Sequence, residues 1–250
     1  MNAVRFEDVT KRYGDVTALD ALSLQVERGE LFGLLGPNGA GKSTTIGILT
    51  GQLLPDEGRV SVLGTDPTTN PVGTRSRIGV LPERESPPSF LTAREYFALV
   101  GSIREIEPAV VEDRVEEWAA RLSFGDRLDT LCTDLSRGQQ QKVMLVAAFL
   151  HEPAMVVIDE PLSNLDPVAQ EQVKRHLHTY VDEGGTVVLS THHLEVAESL
   201  CTRVGLLDRG RLVDEWDPTT VDGSLLDAFL AAVDRETEER RRAAATATEE

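Results

Sequence analysis

The stretch Gly36-Pro37-Asn38-Gly39-Ala40-Gly41-Lys42-Ser43 constrains this chain more than any other part of it. It follows the apolar run Leu31-Phe32-Gly33-Leu34-Leu35 and precedes Thr44-Thr45-Ile46-Gly47-Ile48-Leu49. Strand, then G-x-x-x-x-G-K-[ST], then helix is the context that a phosphate-binding loop requires. The glycines let the backbone curl so that successive N–H groups converge on phosphate oxygens, and the helix N-terminus adds partial positive charge. In such a loop Lys42 reaches the β- and γ-phosphates and the Ser43 hydroxyl holds a magnesium ion. A glycine-rich turn that happens to precede a helix is a rare coincidence at this spacing, and rarer with these flanks. The loop predicts that a nucleoside triphosphate binds.

Composition narrows what the binding is for. The chain has 250 residues, 40% hydrophobic and 27% charged, enough for a substantial core. Its longest unbroken apolar run, Val143 to Leu150, is far short of the ~20 residues that cross a bilayer. Met1-Asn2-Ala3-Val4-Arg5 lacks a charged-then-apolar leader, so no signal peptide is expected. Cys132 and Cys201 stand alone in sequence and suit a reducing cytosol as small core residues. The net charge is −17, and of the 25 basic residues only Lys11, Lys42, Lys142 and Lys174 are lysines. An acidic, lysine-poor surface suits a salt-rich cytosol, where screening removes most self-repulsion, and predicts a salt-accumulating halophile as the source. The same charge argues against duplex nucleic acid as the main partner, because phosphate contacts need clustered Lys and Arg.

Along the chain, Val4–Phe6 and Leu22–Val26 alternate as strands around the turn Tyr13-Gly14-Asp15. Leu31–Leu35 reads as a strand buried on both faces, Ser43–Leu49 as a helix, and Arg59–Val62 and Ile78–Leu81 as strands. From Pro82 the pattern turns helical. Thr92-Ala93-Arg94-Glu95 is a capping box opening a helix to about Val100, Pro108 starts a second, and Arg137 to Leu150 forms a third. Strand and helix then alternate: Ala154–Ile158, a helix capped by Asp166 and reaching Asp182, Thr186–Ser190, a helix over Leu194–Leu200, Val204–Leu207 and Arg211–Val213. Such alternation predicts a parallel sheet covered on both faces, with ligands at the C-terminal strand ends. Asp234 to Glu250 is charged and Ala/Thr-rich, and is expected to be a disordered tail.

Two further strands end in chemistry. Met155-Val156-Val157-Ile158 runs into Asp159-Glu160, and an Asp at this place in a P-loop protein serves the magnesium ion. Glu160 could polarise an attacking water, although two solvated acids opening a loop are common in so acidic a chain. Thr186–Ser190 runs into Thr191-His192, where a His can contact a terminal phosphate; alone, it would more often be structural. The decisive stretch is Leu135-Ser136-Arg137-Gly138-Gln139-Gln140-Gln141-Lys142: Ser at a helix N-cap, a Gly exposing backbone and a Gln-rich first turn. It is a second anion site, and two phosphate sites suggest two nucleotides, or one shared between two chains.

With these motifs in this order, residues 3 to 215 resemble the ATP-binding subunit of an ABC transporter. Tyr13 matches the aromatic that stacks on adenine, and Gly36 to Ser43, with Thr44, matches the Walker A loop. Leu135 to Gln139 resembles the LSGGQ signature, Asp159 and Glu160 the Walker B aspartate and catalytic glutamate, Ser163 to Asp166 the D-loop, and His192 the switch histidine. Three positions depart. Glu83 stands at the Q-loop glutamine, where it can still coordinate magnesium but adds a negative charge. Arg137 replaces the first signature Gly, and Asn164 the D-loop Gly; Ser136 and Gly138 remain. These variants resemble the branch serving two-component, ABC-2-type exporters.

The resemblance implies an α/β fold: a P-loop NTPase (RecA-like) parallel sheet with an N-terminal antiparallel β subdomain and an inserted α-helical subdomain. The domain would span residues 3–233, with the helical insertion at about 84–150. It implies ATP and Mg2+ as cofactors, the ion held by Ser43, Glu83 and Asp159. Partners would be an integral membrane permease and a second copy of the chain, head to tail, on the cytoplasmic face of the membrane. Each site would join Lys42, Ser43, Asp159 and Glu160 of one chain to Ser136, Gly138 and Gln139 of the other. Rivals fit less well. A non-transport ABC-type ATPase working on DNA would carry a long coiled coil or zinc-binding cysteines, and one working on ribosomes a second copy of the domain in the chain. An unrelated P-loop kinase or GTPase leaves the signature unexplained.

Overall fold

The computed structural model describes residues 2–83, 86–221 and 224–235. The chain begins β1 (Asn2–Tyr13), β2 (Val16–Glu27), β3 (Leu31–Leu35), α1 (Lys42–Leu49), β4 (Glu57–Val62), α2 (Pro71–Arg75) and β5 (Ile78–Leu81). Three helices follow, α3 (Ala93–Ile103), α4 (Pro108–Arg121) and α5 (Arg137–Phe149). Then come β6 (Met155–Asp159), α6 (Pro167–Asp182), β7 (Thr186–Thr191), α7 (Leu194–Leu200), β8 (Arg203–Asp208) and β9 (Arg211–Trp216). A last helix, α8, covers 225–235.

Strands β2, β1 and β4 form a three-stranded antiparallel sheet in that order, with Phe6 opposite Leu24 on one side and Val60 on the other. Both hairpin strands run much longer than the short alternating runs in the sequence. The reason is a bulge: Asp8 adopts φ +49°, the pairing slips by one residue between Phe6 and Val9, and the buried set changes phase.

The second sheet has six strands in the order β5-β6-β7-β3-β8-β9. The first five are mutually parallel, as expected. The edge strand β9 reverses, because only Arg209 and Gly210, both at positive φ, separate it from β8. A two-residue link with that geometry makes a hairpin; a parallel return needs a crossover of a dozen residues or more.

Side chains of the central strands alternate between two apolar layers. Leu31, Leu35, Val156 and Ile158 pack with residues of α5, α6 and α7, such as Val146, Val173 and Ala197. Phe32, Leu34, Met155 and Val157 pack with Ile46, Ile48 and Leu49 of α1 and with the antiparallel sheet. Both faces are therefore covered. Cys132 and Cys201 are free thiols buried in the first of these layers.

The caps predicted from sequence form. Thr92 and Glu95 close a capping box on α3, Ser136 and Gln139 close one on α5, and Asp166 caps α6. Two helices are additional. Helix α2 is a single turn or so capped by Asn70, too short to show a period. Helix α8 buries Leu225 and Ala232 and ends at residue 235, two residues into the stretch where the sequence suggests a tail. The expected tail beyond it, 236–250, lies outside the described residues.

Candidate nucleotide-binding site

Strands β6, β7 and β3 are sheet neighbours, so their C-terminal ends open side by side. The register is tight there: Asp159 pairs with Ser190, and Thr191 pairs with Leu35. The loop 36–41, the acidic pair and His192 are thus gathered by the sheet.

The loop turns sharply into α1. Gly41 has φ +110°, and a Cβ there would stand 2.6 Å from the Ala18 carbonyl oxygen, so no other residue fits. Helix α1 has no side-chain cap, unlike α3, α5 and α6, and no acidic residue in its first turn. Its first-turn N–H groups are left for an anion. Lys42 is buried at the head of that helix, and its Nζ donates to the carbonyls of Gly36 (2.6 Å) and Pro37 (3.1 Å). Burial pulls its ammonium below the ordinary lysine value, against the attraction of Glu160, Asp159 and Glu83.

The carboxylates are held by hydroxyls from the neighbouring strand. Ser190 donates a very short hydrogen bond to Asp159, and Thr191 Oγ1 donates to Glu160 Oε2 at 3.0 Å. Glu160 Oε1 accepts from the His192 backbone N–H at 3.0 Å and lies 2.5 Å from His192 Nδ1. Burial raises the Asp159 carboxyl above its ordinary value; the Ser190 bond and Lys42 oppose this, while Glu83 and Glu160 add to it. Glu160 is 5% exposed and sits at φ +55°, a left-handed conformation costing roughly 1–2 kcal/mol for a residue with a Cβ. Its backbone N–H bonds Ser190 O (2.9 Å), so the surroundings hold the carboxylate in place despite that cost.

One cavity of about 300 Å3 is lined by Tyr13, Ala18, Asn38, Gly39, Gly41, Lys42, Ser43, Thr44, Glu83, Asp159, Glu160 and His192. Gly36 and Pro37 lie behind it as acceptors for Lys42, and Ala40 is buried. Tyr13 is half exposed at the end of β1, as a stacking platform must be. Ser43, Glu83 and Asp159 bring a hydroxyl and two carboxylates to the same space, an all-oxygen donor set that fits Mg2+.

The signature residues are elsewhere. Ser136, Gly138 and Gln139 do not line this cavity. Ser136 Oγ accepts from the Gln139 N–H (3.3 Å), which leaves its own O–H free to donate, and Gln139 Oε1 accepts from the Ser136 N–H (2.9 Å). A Cβ on Gly138 would meet Asn164 O at 2.7 Å, so this glycine is needed for close packing against the D-loop backbone as well as for exposed N–H. Arg137 and Gln140 line a second cavity, of about 490 Å3, with Glu83, Ser163 and Asn164. Asn164 has φ +61°, a conformation that Asn tolerates next best to Gly, which accounts for that departure. Sequence reasoning gave no role to Ser190 or Thr191, the orienting hydroxyls. The signal was there, two hydroxyls closing an apolar strand, but only the register with β6 pairs them with carboxylates.

A parallel-sheet fold with a phosphate loop, paired carboxylates at the next strand end and a capped Gly/Gln helix start defines a P-loop ATPase cassette. A family model described as ABC transporter matches residues 19–163. The Nod factor export ATP-binding protein I of Rhizobium etli is 37% identical over 225 residues, covering 87% of this chain and 69% of that protein. The chain spans about two thirds of the length of such curated relatives, between 63% and 73%. A solved ATP-binding subunit of an ABC transporter superposes with a TM-score of 0.85 at 30% identity, covering 92% of this chain and 99% of that one. The dimeric structure of a bacterial ABC transporter cassette matches with a TM-score of 0.78 at 27% identity, over 86% of this chain and 98% of its own. The chain belongs to the ABC transporter family, among its ATP-binding subunits. Among the described residues no helix is long and apolar enough to cross a membrane.

Proposed function

We infer that this chain hydrolyses ATP to drive export through a separate membrane permease, working as a head-to-tail pair. The observation that carries the reading is the separation of the two anion-binding features. Lys42, Ser43, Asp159, Glu160 and His192 share one cavity, and Ser136, Gly138 and Gln139 stand outside it, available to another chain. A relative solved as a dimer and relatives named as export ATP-binding proteins support it.

In this reading the ATP phosphates lie on the loop N–H groups and the uncapped start of α1, and a phosphate oxygen takes Lys42 from its own loop carbonyls. Mg2+, held by Ser43, Asp159 and Glu83, would supply charge neutralisation on the β- and γ-phosphates. Thr191 and His192 aim the Glu160 carboxylate, which orients the attacking water and accepts its proton in an in-line displacement at the γ-phosphorus. His192 holds the terminal phosphate, and Ser136 O–H with the α5 N-terminus of the partner copy binds its far side. Tyr13 stacks on the adenine.

The permease docks on the helical insertion, about 84–150 of a domain spanning 3–233. A groove of about 280 Å3 between β5, α3 and α5 fits an apolar segment with acidic or polar flanks: Val80, Tyr96, Val100, Ile103 and Met144 form it, and Arg75 and Arg104 charge its rim. Glu83, at the end of β5, would link that groove to the phosphates. Such a subunit sits peripherally on the cytoplasmic face. Glu83, Arg137 and Asn164 favour the ABC-2-type branch, and the lysine-poor acidic surface favours a halophile.

The test is Glu160→Gln. ATP binding is expected to persist, turnover to fall by about 100-fold or more, and an ATP-bound dimer to accumulate on size-exclusion chromatography. An unchanged rate would remove Glu160 from the chemistry. Recovery of ribosomes or DNA from native membranes, with no membrane protein attached, would overturn the export assignment.

A further inference from the structure

One side-chain cluster at the edge of the site includes a residue, His193, to which the proposed ATP hydrolysis gives no role. Ligand atoms of Glu160, His192 and His193 all lie within 4.8 Å of one another, and this is the one such group of three among the described residues. His192 Nδ1 is 2.5 Å from Glu160 Oε1, and the two imidazole rings have centroids 3.9 Å apart. Tetrahedral Zn2+, with bonds of about 2.0–2.1 Å, holds its ligand atoms roughly 3.3 Å apart, inside the span these atoms already cover. Small rotations of two exposed rings on a buried carboxylate would close the set. The second layer is present too. Thr191 Oγ1 donates to Glu160 Oε2, which fixes the carboxylate and leaves Oε1 toward the rings.

We propose that Glu160, His192 and His193 form an inhibitory site for a borderline dication of the Zn2+ class, with water in the fourth position. Two imidazoles and one carboxylate select such an ion over Mg2+, which prefers six oxygens and takes the separate Ser43, Glu83 and Asp159 set. The ion replaces the hydrogen between His192 Nδ1 and Glu160 Oε1, and any proton released there passes to solvent. The consequence rests on Glu160 orienting the water: with Oε1 on the metal, the carboxylate is withdrawn from that task and hydrolysis stops.

The experiment uses the full, nucleotide-free chain in thiol-free buffer, titrated with Zn2+ by calorimetry and with Co2+ by visible absorption. The wild type is expected to bind one Zn2+ per chain and to give an intense tetrahedral Co2+ band. Its Mg-ATPase should fall over the same range of buffered free Zn2+. His193→Ala should bind at least about tenfold more weakly, lose the band and keep both its basal rate and its turnover in Zn2+. His178→Ala, removing an exposed histidine on α6, should behave as wild type. Equal Zn2+ binding by His193→Ala and wild type would overturn the site. Binding that depends on His193 without loss of turnover would overturn the inhibition; the placing of Glu160 on the water is tested separately by Glu160→Gln.

Discussion

Asn164 is a small residue in a demanding place. It holds φ +61°, its carbonyl abuts Gly138, and it lines the cavity shared with Arg137. A left-handed backbone accepts Gly freely, Asn at little cost and β-branched residues poorly. Asn164→Gly is therefore expected to leave stability within a few tenths of a kcal/mol, and Asn164→Val to cost about 1–2 kcal/mol, both read by chemical denaturation. Equal stability of the two variants would show that the loop rearranges instead of resisting. The sequence exposed the substitution at this position but not its reason. A motif names residue types, whereas the constraint here is a backbone angle and a carbonyl 2.7 Å from where a Cβ would be.

Among the elements, α6 carries a titration that the pattern of the chain hides. His176 packs edge-on against Trp118 and Phe149, with ring centroids 4.2 and 4.7 Å away. Arg121 Nη1 lies 2.7 Å from its Nδ1, which makes that nitrogen the acceptor and leaves the proton on Nε2, a buried atom without a partner. Burial first, then Arg121, lowers the folded-state value from 6.5 to about 4. Between those values the unfolded chain binds a proton that the folded chain refuses. Stability from this group is thus complete above pH 6.5 and is lost as pH falls toward 4, by at most about 3 kcal/mol. His151, also lowered to about 4 by burial, adds a similar slope. His176→Phe should flatten the decline of the melting temperature between pH 6.5 and 4; an unaltered slope would refute the assignment.

The same scale shows what was legible. Helices α3, α5 and α6 were readable because Thr92, Ser136 and Asp166 are caps, a local signal. Strands β1 and β2 were readable only in part, because the bulge at Asp8 resets the alternation. Helix α8 went unread although Leu225, Phe229 and Ala232 recur at helical spacing and Ser224 caps its start, because the charged run that follows drew the end of the chain together as one tail. The cavity gathers because β3, β6 and β7 are sheet neighbours, an order that the alternation of strand and helix does not fix and that the family's motif order implied. The pairing of Ser190 and Thr191 with the two carboxylates did not follow, because register is a tertiary fact.

At the scale of the whole molecule the dominant quantity is the net charge of −17. Local pairing relieves part of it, as where Arg94 meets Glu112, Glu116 and Asp129 together, but 42 acidic residues outnumber 25 basic ones. Raising ionic strength from about 0.1 M to about 1 M shortens the screening length from roughly 10 Å to 3 Å, below the spacing of most surface charges. Folding should therefore be stabilised by KCl over that range, with the melting temperature rising; a flat or falling curve would count against the salt-adapted reading.

The contact of Gly138 with Asn164 O has a last consequence. The D-loop leaves directly from Glu160, and the same D-loop braces the helix start that would grip a partner's nucleotide. In the proposed pair, displacement of the carboxylate in one site would reach the donor offered to the other through this backbone contact. The two sites of the head-to-tail pair are therefore expected to be coupled, read as a Hill coefficient above one in ATP; a coefficient of one would show that the contact at Gly138 carries no signal between them.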